Sequence, residues 1–461
     1  MRRGFHALLA LLVWLAAGST GMAAESERPN ILFITSDDHR WDALGAAGNP
    51  AVHTPALDRL AAESIFFRQA TVHVSQCLPS RATLLTGLPA HQHGVFAHEH
   101  QSPGRAKQDA FHGLLTLPGL LRQAGYDTAL VGKWHLETDP WESGFSQVKT
   151  WIPGGGADYQ DPVLARGRSR AEVRLRGNTQ EILANDAVEF LHARQAKRRP
   201  FLLWLAFTAP HMPLEPNPPY IQKLYAGKKS ADLLPPGFPK GVPTNDFLHY
   251  YEAVSSLDEQ VGRVMSALEV AGLAESTVVV FLGDNGHMMG QRGIGATGVA
   301  GKVVPYEGSV RVPLMIRSPR MKWRAGASDL PGSSLDVPPT LLTLAGLSVP
   351  ASWPGRDLLS AKIEESFSEW ADETSERWGR MAYRSVRTAR HKLIVWKDPQ
   401  KKPELYDLAA DPGEEKNLID TPEAQTIRKD LEARLRAWME TTADPAAGWA
   451  TRSAAPRVPA S

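Results

Sequence analysis

Short apolar runs alternate with longer helical stretches through most of this chain, and that alternation restricts the fold more than any other feature. The apolar runs of strand length lie at 30–35, 128–131, 201–207, 276–282 and 313–317. The helical stretches between them lie at 54–63, 117–124, 178–197 and 245–271. Buried runs that alternate with helices are typical of a parallel sheet with helices on both faces. We therefore predict an α/β fold built on a large, mostly parallel central sheet. The long segment 151–170 is predicted to be a loop.

The pattern changes near Trp353, where the strands become short and closely spaced. The C-terminal segments 383–387, 391–396 and 404–408 are predicted to form antiparallel strands, and 421–441 a closing amphipathic helix. A chain of 461 residues is too long for one ordinary core. The predicted units are a catalytic domain at 25–352, a small antiparallel α+β subdomain at 353–445 and a flexible tail at 446–461.

The N-terminus has the composition of a signal peptide. Arg2 and Arg3 are followed by an apolar run at 7–17 and by small residues up to Ala24. This run is shorter than a membrane-spanning helix needs. We predict cleavage after residues 1–24, a periplasmic or secreted protein, and no stable membrane insertion.

Charge gives no indication of a polyanionic partner. The chain has 51 Lys and Arg residues against 50 Asp and Glu residues. A strongly basic patch would be expected of a nucleic-acid-binding protein, so we predict that this chain binds no nucleic acid.

Polar residues follow four of the predicted strands. The segments are 36–39, 132–135, 209–211 and 283–286. Ligand sites in open α/β sheets form beyond the carboxyl ends of the strands. Any one of these segments alone is explained as a turn or a helix cap, but four together predict one site.

The acidic members of these segments are candidate metal ligands. They are Asp37, Asp38, Asp284 and Asn285. All four offer oxygen, which favours Ca²⁺ or, as the alternative ion, Mg²⁺ over Zn²⁺. Two adjacent carboxylates also repel each other unless a cation lies between them.

The cationic members are candidate anion ligands. They are Arg81, Lys133, His135, His211 and Lys302. Together these side chains suit a tetrahedral oxyanion such as sulfate or phosphate. Lys302 alone would be interpreted as a solvated lysine.

Cys77 is the only cysteine of the chain and begins the run Cys77-Leu78-Pro79-Ser80-Arg81. The residues that follow predict a short helix that ends at Gly87, with Pro79 at its first position. Cys77 would then lie at a helix N-terminus, where an anion is favoured. The alternative is a small buried apolar residue, which is common for cysteine.

This run resembles the sulfatase signature Cys-x-Pro-Ser-Arg, and the resemblance to type I sulfatases covers residues 28–440. The matching segments are Asp37-Asp38, 77–81, 132–136, 209–211, 283–286, Lys302 with Tyr306-Glu307, and 405–408 with Asp411-Pro412. The resemblance implies an alkaline-phosphatase-like fold and one divalent cation, usually Ca²⁺. It also implies that Cys77 is oxidised to formylglycine by a dedicated maturation enzyme and that this side chain joins the metal ligands.

The same resemblance implies a mechanism through a covalent sulfoenzyme intermediate. The hydrated aldehyde attacks sulfur with Asp284 as a base, while Arg81 and the cation stabilise the nucleophile. Lys133 and Lys302 hold the sulfate oxygens. His211 protonates the departing alcohol, and His135 takes the proton of the second hydroxyl.

Two positions depart from the family pattern, and two other functions remain open. Glu137 stands where many members have Gly, and residues 154–156 stand where some members have Ser.

The expected substrate is a sulfated carbohydrate or another sulfate ester. The alternatives are a phosphonate or phosphate monoester hydrolase of the same fold and a non-catalytic carbohydrate-binding relic.

Overall fold

A computed structural model describes residues 28–449 of the chain, apart from 97–110, 112, 196, 198, 242, 297–300, 320–323 and 372–380. The predicted signal peptide lies outside the described residues. The predicted tail lies outside them from residue 450 onward.

A ten-stranded sheet forms the centre of the molecule. Its strands are β1 (Asn30–Ser36), β2 (Ile65–Phe67), β3 (Asp127–Lys133), β4 (Gln147–Ile152), β5 (Val163–Arg166), β6 (Glu172–Arg174), β7 (Phe201–Ala206), β8 (Thr277–Gly283), β9 (Leu314–Arg317) and β10 (Gly326–Ser328). They lie in the order β10-β2-β9-β8-β1-β7-β3-β4-β5-β6. The central strands β8, β1, β7, β3 and β4 are parallel, whereas β9, β5 and β6 pair antiparallel with their neighbours. The predicted mostly parallel sheet is confirmed.

Helices cover both faces of this sheet. They are α1 (Pro55–Ala62), α2 (Cys77–Thr86), α3 (Ala90–His93), α4 (Leu117–Gln123), α5 (Thr179–His192), α6 (Pro219–Gln222), α7 (Phe247–Val270), α8 (Glu307–Val310), α9 (Val337–Leu344) and α10 (Gln425–Thr441). Alternate residues of β1 pack on opposite faces. Ile31 and Phe33 join the core that includes α2, α4 and α9, and Leu32 and Ile34 join the core that includes α1, α5 and α7.

Side-chain caps fix the start of the two longest helices of the main domain. The Asn178 side chain accepts hydrogen bonds from backbone N–H groups at 180 and 181. The Asp246 carboxylate does the same for Leu248 and His249, at 3.1 and 3.2 Å. Such caps satisfy N–H groups that have no partner within the helix. None of the helices in the described part of the chain combines the length and apolar composition that a bilayer crossing requires.

A four-stranded antiparallel sheet follows, with α10 packed on one face. Its strands are β11 (Glu365–Trp370), β12 (Tyr383–Thr388), β13 (His391–Trp396) and β14 (Glu404–Asp407). Three of them were predicted, and β11 is additional. Phe367 of β11 stacks on Trp438 of α10 with ring centroids 4.5 Å apart. Ala446 is buried in the same small core.

Buried charges join the two sheets. Glu369 of β11 accepts from His73 Nε2 at 3.1 Å and from His91 Nδ1 at 2.8 Å. Arg384 Nε lies 3.2 Å from Glu369 Oε2 and 2.6 Å from Asp444 Oδ2. His73 and His91 belong to the main domain, so these contacts attach the smaller sheet to it.

The expected loop at 151–170 is wrong in part. Trp151 and Ile152 complete β4, and β5 returns antiparallel to it. The segment between these strands, which includes Gly154, Gly155 and Gly156, is irregular, and residues 167–170 after β5 form a turn.

Candidate active site

Four adjacent parallel strands deliver the polar segments to one edge of the sheet. The register pairs Ser36 at the end of β1 with Gly283 at the end of β8. It also pairs Ala206 of β7 with Thr35 on one side and with Gly132 on the other. The ends of β8, β1, β7 and β3 therefore lie in one row. The residues that follow them meet above it.

Oxygen atoms of the acidic residues converge in a buried cluster. Asp37, Asp38, Asp284 and Asn285 are all at most 3% exposed. The Asn285 amide donates to Asp38 Oδ1 at 2.5 Å. Asp37 Oδ1, Asp284 Oδ1 and Asn285 Oδ1 are buried, and none has a hydrogen-bond donor among the described residues. Unpaired buried acceptors on neighbouring carboxylate and amide groups fit a hard divalent cation.

The charge of this cluster supports the same conclusion. Burial and then the Asp37 carboxylate raise the pKa of Asp284 well above its usual range, although Arg81 and Lys133 act in the opposite direction. Burial also acts to raise the pKa of Asp38, but Lys302, His211 and His287 together outweigh it and hold that pKa well below its usual range. At Asp284, burial and the Asp37 carboxylate together therefore outweigh the two neighbouring cations.

Three cationic side chains bind the three carboxylates. Lys133, the last residue of β3, pairs with Asp37. Lys302 pairs with Asp38 at 2.7 Å, and Arg81 pairs with Asp284 at 2.7 Å. Residues far apart in the sequence therefore contact each other here.

Cys77 is the first residue of α2 and is fully buried. Its Sγ lies 3.8 Å from Lys302 Nζ. A helix N-terminus and an ammonium group both stabilise an anion at this position. Gly87 ends the helix in the left-handed region, as predicted. Pro79 is the third helical residue, however, because the helix begins at Cys77 and not at the proline.

Two histidines face the loop that contains the three glycines. A Cβ at Gly155 would lie 3.0 Å from His135 Cε1, and one at Gly156 would lie 3.4 Å from His211 Nδ1. His135 and His211 therefore both lie against the same short loop. Gly154 differs from both, because an added Cβ there would meet nothing within 4 Å.

The orientation of His211 is fixed by backbone contacts. Its Nδ1 lies 2.6 Å from the Met212 carbonyl oxygen, so Nδ1 carries a proton and donates it. Its Nε2 lies 3.9 Å from Asp38 Oδ2. The Tyr159 hydroxyl donates to the His211 carbonyl oxygen at 2.9 Å. Nε2 is thus the nitrogen available for proton exchange.

His287 is a site residue that the sequence analysis missed. It follows the segment 283–286 directly, is 3% exposed, and its pKa is lowered to about 4 by burial. Asp38 acts to raise this pKa and Lys302 acts to lower it, so His287 lies close to both side chains. Its position immediately after the Asp-Asn-Gly turn was the one available signal.

A second group of potential metal ligands consists of His91, Glu369 and Asp444. Arg384 already pairs with both carboxylates of this group. A guanidinium therefore supplies the positive charge that a metal would bring, and we assign the group to the interface of the two sheets.

The chain matches two family models and several characterised proteins. Residues 29–347 match the model described as Sulfatase, and 295–441 match N-sulphoglucosamine sulphohydrolase, C-terminal. The chain is 30% identical over 432 residues to an ulvan-active sulfatase of Formosa agariphila, which covers 89% of this chain and 81% of the relative. It is 31% identical over 386 residues to the N-acetylgalactosamine-6-sulfatase of Canis lupus familiaris, with 77% and 69% covered.

A solved structure in complex with its substrate, D-glucosamine-2-N,6-O-disulfate, has the same fold. It superposes with a TM-score of 0.75 at 24% identity and covers 92% of this chain and 100% of that one.

Proposed function

Because this chain belongs to the sulfatase family and is a sulfuric ester hydrolase, we propose that it desulfates carbohydrates with a formylglycine made from Cys77. The observation that carries the proposal is the position of the sole cysteine. Its thiol is buried at a helix N-terminus, 3.8 Å from an ammonium group and next to unpaired carboxylate oxygens.

One divalent cation, Ca²⁺ or Mg²⁺, would be held by Asp37, Asp38, Asp284 and Asn285, with the side chain at position 77 as a further ligand. The donor set contains only oxygen apart from this side chain, which suits these ions. When bound, the cation would polarise a sulfate oxygen and balance the charge of the carboxylates.

The modified side chain would supply the nucleophile. A hydrated aldehyde has two hydroxyl groups, one to form the covalent sulfoenzyme intermediate and one to release sulfate from it. A plain thiolate has no second hydroxyl. Two easier steps then replace one difficult displacement.

The surrounding cations would bind and orient the sulfate group. Lys133 and Lys302 each have three donors, so an ammonium that pairs with a carboxylate can also donate to a sulfate oxygen. Arg81 donates to the Lys133 carbonyl oxygen at 2.8 Å and pairs with Asp284. It would hold the strand end and stabilise negative charge beside Cys77.

The histidines would move the protons. His211 would protonate the departing alcohol from Nε2, since Nδ1 is held by the Met212 carbonyl. His135 would accept the proton of the second hydroxyl. The backbone at Gly155 and Gly156 covers both rings and would limit the entry of water.

A carbohydrate substrate is supported by the relatives and by a polar cavity in the same domain. One relative is named as a sulfatase active on ulvan and the other as an N-acetylgalactosamine-6-sulfatase. A cavity of about 660 Å³ is lined by Glu137, Asp139, Glu142 and Arg170 among others, and Glu137 follows His135 by two residues in the sequence. Carboxylate and guanidinium groups are suitable partners for sugar hydroxyls.

The N-terminal segment supports export to the periplasm or the medium, and Cys77 requires a maturation enzyme. Peptide analysis of the exported protein tests both, because it reports cleavage after 24 and the state of residue 77 together.

The decisive experiment compares paired 4-nitrophenyl sulfate and 4-nitrophenyl phosphate on matured protein, with Cys77→Ala as the control. We expect sulfate turnover to exceed phosphate turnover and to be abolished in the control. Mass analysis of the Cys77 peptide should show oxygen in place of sulfur and the loss of two hydrogens. A preference for phosphate would favour the phosphonate or phosphate hydrolase. Full turnover by unmodified thiol protein would refute the mechanism, and carbohydrate binding without turnover would favour the relic.

A further inference from the structure

His287 has a fixed ring orientation that the catalytic roles above do not use. Its Nδ1 accepts a hydrogen bond from the Met289 N–H at 3.1 Å. The ring also lies against Gly301, where an added Cβ would be 2.1 Å from Cε1 and 2.3 Å from Nε2. Glycine at 301 therefore creates the space that the imidazole occupies.

The Nδ1 contact determines which nitrogen carries the proton. Because Nδ1 accepts a hydrogen bond, a neutral ring has its hydrogen on Nε2. His287 therefore presents Nε2–H as a donor.

That donor has no acceptor within the part of the chain that the structure describes. Nε2 is buried, and no hydrogen-bond partner lies within reach of it. A buried polar group without a partner is destabilising and is uncommon in native proteins. Buried oxygen atoms without a hydrogen-bond donor occur at Asp37, Asp284 and Asn285, the ligands proposed for the cation.

The neighbours of His287 connect it to the reacting group. The ring rests on Gly301, the residue before Lys302, and Lys302 Nζ lies 3.8 Å from Cys77 Sγ. The Met288 N–H also donates to the Gly301 carbonyl oxygen at 2.6 Å. The loop after β8 is thus tied to the segment that carries the lysine.

We propose that His287 is a further substrate-binding residue, whose Nε2–H donates a hydrogen bond to an oxygen of the bound sulfate ester. The proposal rests on the sulfatase function proposed above. The ligand it requires is an anionic or alcohol oxygen acceptor, which both the sulfuryl group and the leaving group provide.

Two substitutions separate this role from a purely structural one. His287→Asn retains an oxygen near the position of Nδ1 for the Met289 N–H but has no group at the position of Nε2. His287→Gln places an amide N–H near the position of Nε2 but loses the Nδ1 acceptor. If the substrate contact matters, Asn should lower kcat/KM for 4-nitrophenyl sulfate by about 10- to 100-fold and Gln should recover most of it.

His93 provides a matched control. Its Nδ1 accepts from the Val95 N–H at 3.1 Å, as His287 does from Met289, but its Nε2 lies 3.1 Å from the Thr83 hydroxyl. His93→Asn should therefore lower the unfolding midpoint in urea and leave kcat/KM of the folded enzyme unchanged. His287→Asn should instead lower kcat/KM and leave the unfolding midpoint in urea unchanged. The reason is that His287 Nε2 makes no hydrogen bond within the described fold that the substitution could remove.

Inhibition by inorganic sulfate shows which oxygen of the substrate His287 contacts. A raised inhibition constant for sulfate in His287→Asn assigns the contact to the sulfuryl group, and an unchanged constant with reduced kcat/KM assigns it to the leaving group. The inference is overturned if wild-type protein is active and His287→Asn retains its kcat/KM, or if Gln loses more activity than Asn. An inactive but fully modified wild-type protein would instead refute the proposed function.

Discussion

The buried charges between the two sheets predict a large and specific loss of stability when Glu369 is replaced by Gln. This carboxylate accepts from His73, from the backbone and ring of His91, and from Arg384, with all four distances between 2.8 and 3.2 Å. Its side chain is 1% exposed. Glu369→Gln removes the negative charge but leaves the buried arginine and histidines in place.

The magnitude follows from the burial of these groups. Removal of one partner from a buried ion pair costs about 3–5 kcal/mol, because the remaining charge is left uncompensated. Asp329→Asn is the control, since its ion pair with Arg68 is about half exposed on both sides and should be worth about 0–1 kcal/mol. Urea unfolding of both variants, followed by tryptophan fluorescence, measures the difference. A loss below about 1 kcal/mol for Glu369→Gln would refute the reasoning.

The same contacts predict how stability changes with pH. Burial opposes the protonation of His91, but Glu369 and Asp444 outweigh it and raise the pKa of His91. A raised pKa in the folded state means that the stabilisation is complete below the unfolded value of about 6.5 and is lost as pH rises through the folded value. Stability of the wild type should fall across that interval, and the slope should be smaller in Glu369→Gln. Equal slopes would contradict the assignment of the charge to His91.

Three further predictions concern the active site. Gly155→Ala should lower kcat at least about tenfold, because the new Cβ displaces His135, whereas Gly154→Ala should not; equal effects in steady-state assays would exclude steric contact as the cause. His211→Ala should slow desulfation of a sugar sulfate much more than that of 4-nitrophenyl sulfate, because only the alkoxide needs a proton; the ratio of the two rates is the measurement, and a uniform loss would contradict the acid role. Ca²⁺ added to chelator-treated protein should raise the free energy of unfolding by about 2.7 kcal/mol at a concentration one hundred times its Kd; Asp37→Asn should weaken that dependence in a thermal titration, and an unchanged dependence would place the ion elsewhere.

The buried strands and their polar ends were predictable because each is a local pattern. Segments 30–35 and 276–282 are apolar without interruption, as expected for strands covered on both faces. The positions of the site residues followed, since parallel strands end at the same edge. The order of the strands was not predictable, because it depends on which runs pair across more than 150 residues.

The features that the sequence analysis missed depend on contacts between distant segments. β5 has only four residues and an exposed residue at each end, so it gives no periodic signal. The role inferred for His287 depends on its contact with Gly301, and the role of Glu369 depends on its contacts with His73 and His91. No spacing within one segment reveals such pairs, and a single histidine in a turn looks like any surface residue.

The complete burial of Cys77 limits when it can be converted. A thiol with no exposed surface, at the start of a helix covered by the rest of the fold, is out of reach of any enzyme large enough to oxidise it. The conversion proposed for Cys77 would therefore have to precede the closure of the fold, and the two processes would compete for the newly made chain. A variant that folds faster should leave a larger share of molecules permanently inert, even if each is more stable than the wild type.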